Sequence, residues 1–167
     1  MNEELTLTDI IAGYLTACGI SCETEVIGGR EAVTIRYGEG EYLPEDCSVT
    51  VEEPAEGVRA VRLLMTVFSG LTAEQTADLR RVIGKFNRFL DIGCFILPEE
   101  DVLFYSYAFV IEDQLPAESL LSALTASLDA ATDGASQGKR LLMPLITGEL
   151  TCQQIIDRDI FPAQGGE

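Results

Sequence analysis

Residues 71–111 read LTAEQTADLRRVIGKFNRFLDIGCFILPEEDVLFYSYAFVI, and within them the apolar period changes from helical to extended. Thr72 with Gln75 three residues later is a capping-box pattern, and Leu79, Val82, Ile83, Phe86, Phe89 and Leu90 form the stripe of the helix it opens. Glu74 and Asp78 lie early in this helix and Arg80, Arg81, Lys85 and Arg88 late, the order the helix dipole favours. After Gly93, residues 94–97 and 102–111 read as a hairpin joined by Pro98-Glu99-Glu100-Asp101. Its second strand is apolar on both faces: Leu103, Tyr105, Tyr107, Phe109 and Ile111 point one way, Val102, Phe104, Ala108 and Val110 the other. Such a strand is either covered on both sides or lies at a subunit contact.

Working outward, Leu7, Ile10, Ile11, Tyr14 and Leu15 recur at helical spacing before Gly19 and predict a first helix. Residues 22–27 and 30–37 flank Gly28-Gly29, a dipeptide suited to the positive φ angles of a two-residue hairpin turn. Between residues 39 and 56 there are seven acids and no base, interrupted by a short strand pattern at Cys47, Val49 and Val51. A longer strand at 58–68 pairs with it across a turn at 53–57. On the carboxyl side, Pro116 opens a third helix with Leu120, Leu121, Leu124 and Leu128 on one face, predicted to end near Asp133-Gly134. Residues 134–140 read as an interhelical loop. Residues 140–146 are helical in pattern but contain Pro144, expected to break or kink them, and Thr151 opens a last short helix with its own Thr-x-x-Gln cap. Gly165-Gly166-Glu167 is expected to fray.

The expected fold is α+β: helix, three or four strands, helix, two strands, helix, with an antiparallel sheet packed against the helices and extra C-terminal helices. A chain of 167 residues suits one domain, with a core at 1–133 and a helical extension at 134–167.

Composition narrows function. The net charge of −17 sets the summed field against nucleic acid or an anionic membrane surface, so neither is an expected partner. The start, Met1-Asn2-Glu3-Glu4, is acidic, unlike a secretory signal, and no apolar run approaches the roughly 18 residues that span a bilayer. The expected location is the cytoplasm. Cys18, Cys22, Cys47, Cys94 and Cys152 are odd in number and irregularly spaced, which suits reduced, buried thiols. There is no histidine, which removes Ser-His-Asp and Cys-His nucleophile systems and imidazole metal sites. Residues 134–140 superficially resemble a phosphate-binding loop but have one residue too few between the glycines, no Ser or Thr after Lys139, and no preceding strand. No catalytic, cofactor or metal residue is therefore expected. Arg81, Lys85 and Arg88, at i, i+4, i+7 spacing, share a helix face in an otherwise acidic chain. They either pair with neighbouring carboxylates and complement the dipole or meet a partner.

Residues 71–131, with Phe86-Asn87-Arg88-Phe89-Leu90, then Gly93-Cys94-Phe95-Ile96-Leu97, an acidic turn, a long apolar strand and a Leu-rich helix, resemble the YbjN family of bacterial proteins. That family carries the label of sensory transduction regulator and is similar in fold to type III secretion chaperones, which form dimers and bind client segments. The resemblance implies a type III secretion chaperone-like fold and a homodimeric, non-enzymatic module that binds a protein partner, and it brings no site residues with it. The tail beyond Gly134 extends past the family core. The contact surfaces expected are the helix with Arg81, Lys85 and Arg88 and the sheet face, with Tyr105 and Tyr107 as candidates. The alternatives are a small-molecule sensor or an enzyme relying on carboxylates alone, which would need an enclosed polar pocket, and a structural subunit of a larger assembly.

Overall fold

The computed structural model describes residues 5–98, 101–112 and 115–158. The expectations for Met1-Asn2-Glu3-Glu4, Glu99-Glu100 and Gly165-Gly166-Glu167 lie outside them. Ten elements follow the chain: α1 (Leu7–Ala17), β1 (Cys22–Ile27), β2 (Arg30–Arg36), β3 (Asp46–Ala55), β4 (Val58–Phe68), α2 (Ala73–Phe86), β5 (Cys94–Ile96), β6 (Leu103–Glu112), α3 (Ala117–Ile146) and α4 (Cys152–Asp157). The strands form one antiparallel sheet in the order β1-β2-β3-β4-β6-β5, so the fold is α+β as the pattern predicts.

Local chemistry sets most boundaries. Thr6 with Asp9, Thr72 with Gln75, and Thr151 with Gln154 each close a reciprocal capping box, satisfying amide donors that a helix start leaves unpaired. Gly28 and Gly29 sit at φ 59° and 82°, both positive as a two-residue turn between twisted strands requires. β3 runs further than expected, through Glu52 and Glu53 to Ala55, because Glu52 has cationic partners on neighbouring strands: Arg30 at 2.7 Å and Arg62 at 3.5 Å.

Cross-strand partners share a face of the sheet. One row, Cys22, Ile35, Cys47, Met65, Tyr105 and Phe95, crosses all six strands on the side where the helices lie. Here α1 packs on β1 to β3, α3 on β4 and β6, α2 on β5 and α3, and α4 on α2. Leu79, Val82, Leu103, Leu124 and Leu142 are completely buried between the layers.

The largest departure from expectation is α3. It does not end near Asp133-Gly134 but continues as a single helix to Ile146, and residues 134–140 are its interior rather than a loop. The glycines are there for proximity. A Cβ at position 134 would lie 2.6 Å from the Tyr105 hydroxyl, and one at 138 would lie 1.9 Å from Cζ of Phe95. The missing side chains form a trough in which these two rings pack edge to face, their centroids 5.1 Å apart. Pro144 falls in the last turn and does not end the helix, its missing N–H leaving the Arg140 carbonyl without its usual intrahelical donor. A division into a core at 1–133 and an extension at 134–167 therefore cuts through a helix whose far half buries Ala135, Leu142 and Leu145.

The expected stripe of α2 is also shortened. The helix ends at Phe86, because Asn87 turns its amide to the edge strand, donating to the Phe95 carbonyl (2.9 Å) and accepting from the Phe95 amide (2.8 Å). Phe89 is left beyond the helix, 52% exposed. Of the cysteines, all unpaired thiols, only Cys47 is buried; Cys22, Cys94 and Cys152 are half-buried and Cys18 is exposed.

Burial pushes the Cys47 thiol up from 9.0 to about 12 and the Tyr105 hydroxyl from 10.0 to about 12, and it raises Tyr37 as well. These acids hold their protons more tightly folded than unfolded. Their stabilising contribution is complete below the unfolded values and is lost as pH rises through the folded ones. The urea midpoint should thus be insensitive to these groups up to pH 9.0 and fall steeply towards about 12, with Cys47→Ala falling less. A midpoint that stays level across that window would contradict this burial.

Candidate functional site

The stretch 80–88 carries four of the chain's eleven bases and no acid. Arg81, Lys85 and Arg88 do share a face, and with Gly84, Phe89 and Ile156 they line one open depression of about 470 Å³. Their environments differ. Arg81 is exposed and pairs with Asp78 one turn earlier at 3.6 Å. Lys85 is half-buried and donates to the Ile156 carbonyl, tying α4 to α2. Arg88 is exposed, just past the helix end. The stripe is thus partly internal: Lys85 satisfies a carbonyl near the end of α4, as a cation there does well. Arg81 and Arg88 remain the outward charges beside the exposed Phe89 ring.

The two tyrosines require a correction. Tyr105 has no exposed surface; its ring lies in the core and its hydroxyl donates to the Ile92 carbonyl at 2.6 Å. Tyr107 is half-buried and packs against the same core. Both point to the helix layer, so neither belongs to a sheet-face contact. The alternation along this strand was legible, but which side the helices cover depends on packing between distant elements.

The other face carries the residues that sequence reasoning placed only as the strand's second side. Its rows run Glu23, Thr34, Ser48, Leu64, Ser106, Cys94 and Arg36, Asp46, Thr66, Phe104, Ile96. None of these side chains belongs to the hydrophobic core cluster, and among the described residues no helix is packed over them. The face has two halves. From β1 across to β4 it carries a polar lattice: Arg30 and Arg62 on Glu52, Arg36 on Glu23 at 3.9 Å, and Thr66 donating to Asp46 at 2.6 Å. Over β4, β6 and β5 apolar residues are set among polar ones: Leu64, Ile96 and Phe104 are half-buried, Ala108 is exposed and Val110 is 68% exposed, with Thr66 and Ser106 buried between them and the exposed Arg62 opposite Ala108.

Among the described residues, no three Cys, Asp or Glu side chains gather as a metal site would need, and no helix is long and apolar enough to cross a membrane. No protein-family model and no curated protein matches the chain. Among solved structures, the fold is similar to the crystal structure of YbjN from E. coli, the family that residues 71–131 resemble, at 7% identity over 81% of this chain and 92% of that chain, with a TM-score of 0.49.

Proposed function

We propose that this protein is a non-enzymatic binding module that works by contact with other protein chains, the first of them a second copy of itself. One observation carries the reading: the helix-free face of β4, β6 and β5, where Leu64, Ile96, Phe104, Ala108 and Val110 lie outside the core, interspersed with Arg62, Thr66 and Ser106. Clustered apolar surface of this kind marks interaction sites in soluble proteins. A chain of net charge −17 repels its own copies, so self-association is favoured at a surface poor in carboxylates, and between Leu64 and Val110 this half-face carries one charge, the Arg62 guanidinium opposite Ala108. The second contact is the outward pair Arg81 and Arg88 beside Phe89, which suits an acidic segment of a partner. The absence of histidine from the chain supports a role without catalysis.

Light scattering at micromolar concentration tests the reading. The wild-type chain should have the mass of a dimer, and Val110→Lys, which places two like charges in a symmetric contact, should be monomeric. Glu56→Lys, in the β3–β4 turn, adds a lysine elsewhere, raises the net charge by two where Val110→Lys raises it by one, and should remain dimeric. A monomeric wild type, or a dimer indifferent to Val110→Lys, would remove the sheet face from the proposal.

A further inference from the structure

A separate cleft of about 680 Å³ opens between the β2–β3 connection and the middle of α3, with the rings of Tyr37 and Tyr42 and the side chain of Leu43 in its wall. From α3 it receives Asp129, Thr132, Asp133, Ser136 and Arg140. Their i, i+3, i+4, i+7, i+11 spacing is that of one helical stripe.

Three features of this stripe point to a ligand. The Ser136 hydroxyl oxygen is buried and has no hydrogen-bond partner among the described residues, a rare condition that marks a place for a further group. Charge is separated along the stripe: Asp129 and Asp133 stand at one end and Arg140 at the other, with Ser136 between, while Arg36 and Glu41 line the cleft from the β2–β3 side, Glu41 hydrogen-bonded to Tyr42. At about 1.5 Å of rise per residue, Asp133 and Arg140 lie about 10 Å apart along the axis, and Asp129 and Arg140 about 16 Å. The walls are also held in place. The Tyr37 hydroxyl is hydrogen-bonded to Thr132 at 2.7 Å, Lys139 donates to the Leu43 carbonyl at 2.9 Å, and the Arg140 guanidinium lies 5.1 Å from the centre of the Tyr42 ring. A cleft of this size with a few convergent polar groups has the form of a small-molecule site.

We infer that the cleft binds a short peptide with both termini unblocked, its ammonium at Asp133 and Asp129 and its carboxylate at Arg140. Extended chain covers about 3.3–3.6 Å per residue, so about three residues match the span from Asp133 to Arg140, and a single amino acid does not reach. The Ser136 hydroxyl then meets a backbone amide or carbonyl of the bound peptide, and the tyrosine rings flank its side chains. The site is independent of the sheet-face contact.

Titration of the full-length, ¹⁵N-labelled protein with tri-alanine tests this. Saturable amide shifts should be confined to residues 20–21, 36–43 and 128–140. Acetylating the amine or amidating the carboxylate should each weaken binding about tenfold, the effect of losing one charge-assisted hydrogen bond. Arg140→Gln should abolish the preference for carboxylate over amide while keeping the preference for a free amine, and Ser136→Ala should weaken binding without altering either preference. No saturable shift at several millimolar, or equal binding of the doubly blocked peptide, would overturn the inference.

Discussion

A chain ending after Asp133 is expected not to fold. It would lack the second half of α3 and all of α4, and with them Leu142, Leu145 and Ile155, which are exposed by only 0%, 6% and 1%. Burying a large aliphatic side chain contributes about 1.5–3 kcal/mol, so these three together supply about 5–9 kcal/mol, as much as many domains possess in total. Removal also uncovers the Phe95 ring, whose neighbour on α3 is Gly138. Backbone amide spectra and urea titration of residues 1–133 would show collapsed dispersion and no cooperative transition. A dispersed spectrum with a sharp transition would restore the division at 133.

Gly138→Ala should destabilise the protein although alanine is the better helix former. Replacing a helix-interior glycine contributes about 1 kcal/mol of helix propensity, and an overpacked core costs about 1–3 kcal/mol. The clash should prevail here because the new Cβ would meet Phe95 Cζ at 1.9 Å and both flanking ring carbons at 2.8 Å. The ring has nowhere easy to go: Tyr105 packs against it, and its backbone is held on both polar atoms by Asn87. The expected net loss is up to about 2 kcal/mol. Gly84, in α2, supplies the contrast, since a Cβ there meets nothing within 4 Å and Gly84→Ala should stabilise by about 0.5–1 kcal/mol. Urea denaturation of both variants decides the matter by sign. In Phe95→Leu, which opens the trough, Gly138→Ala should cost less than in the wild type, and equal costs would show that the ring is not the obstacle.

What could be read from the sequence was what neighbouring residues settle among themselves. The Thr72 and Thr151 caps, the Gly28-Gly29 turn and the alternation of residues 103–111 depend on groups a few positions apart, and each stands as expected. What could not be read depends on groups far apart in the chain. Gly134 and Gly138 look like breakers until Tyr105 and Phe95 are placed against them. Phe89 continues the stripe of α2 until Asn87 finds the backbone of Phe95 and turns the chain. The candidate surface divided along the same line. Spacing put Arg81, Lys85 and Arg88 on one face, but that Lys85 would be engaged by the Ile156 carbonyl required α4 to be in position. For Tyr105 and Tyr107, alternation identifies two sides of a strand without saying which the helices cover.

The strand order β1-β2-β3-β4-β6-β5 also bears on how copies of the chain can avoid polymerising. An antiparallel sheet left bare on one side can grow indefinitely if its outer strands accept new neighbours. Here one outer strand, β5, is only three residues long, too short a template for extended pairing. The other, β1, alternates Glu23 and Glu25 along its length, so that an identical strand laid against it would bring carboxylates together. Edge-to-edge addition is thus discouraged at both margins while the apolar half-face stays open. On the proposal that copies of the chain meet through this face, a closed pair is favoured over a fibre.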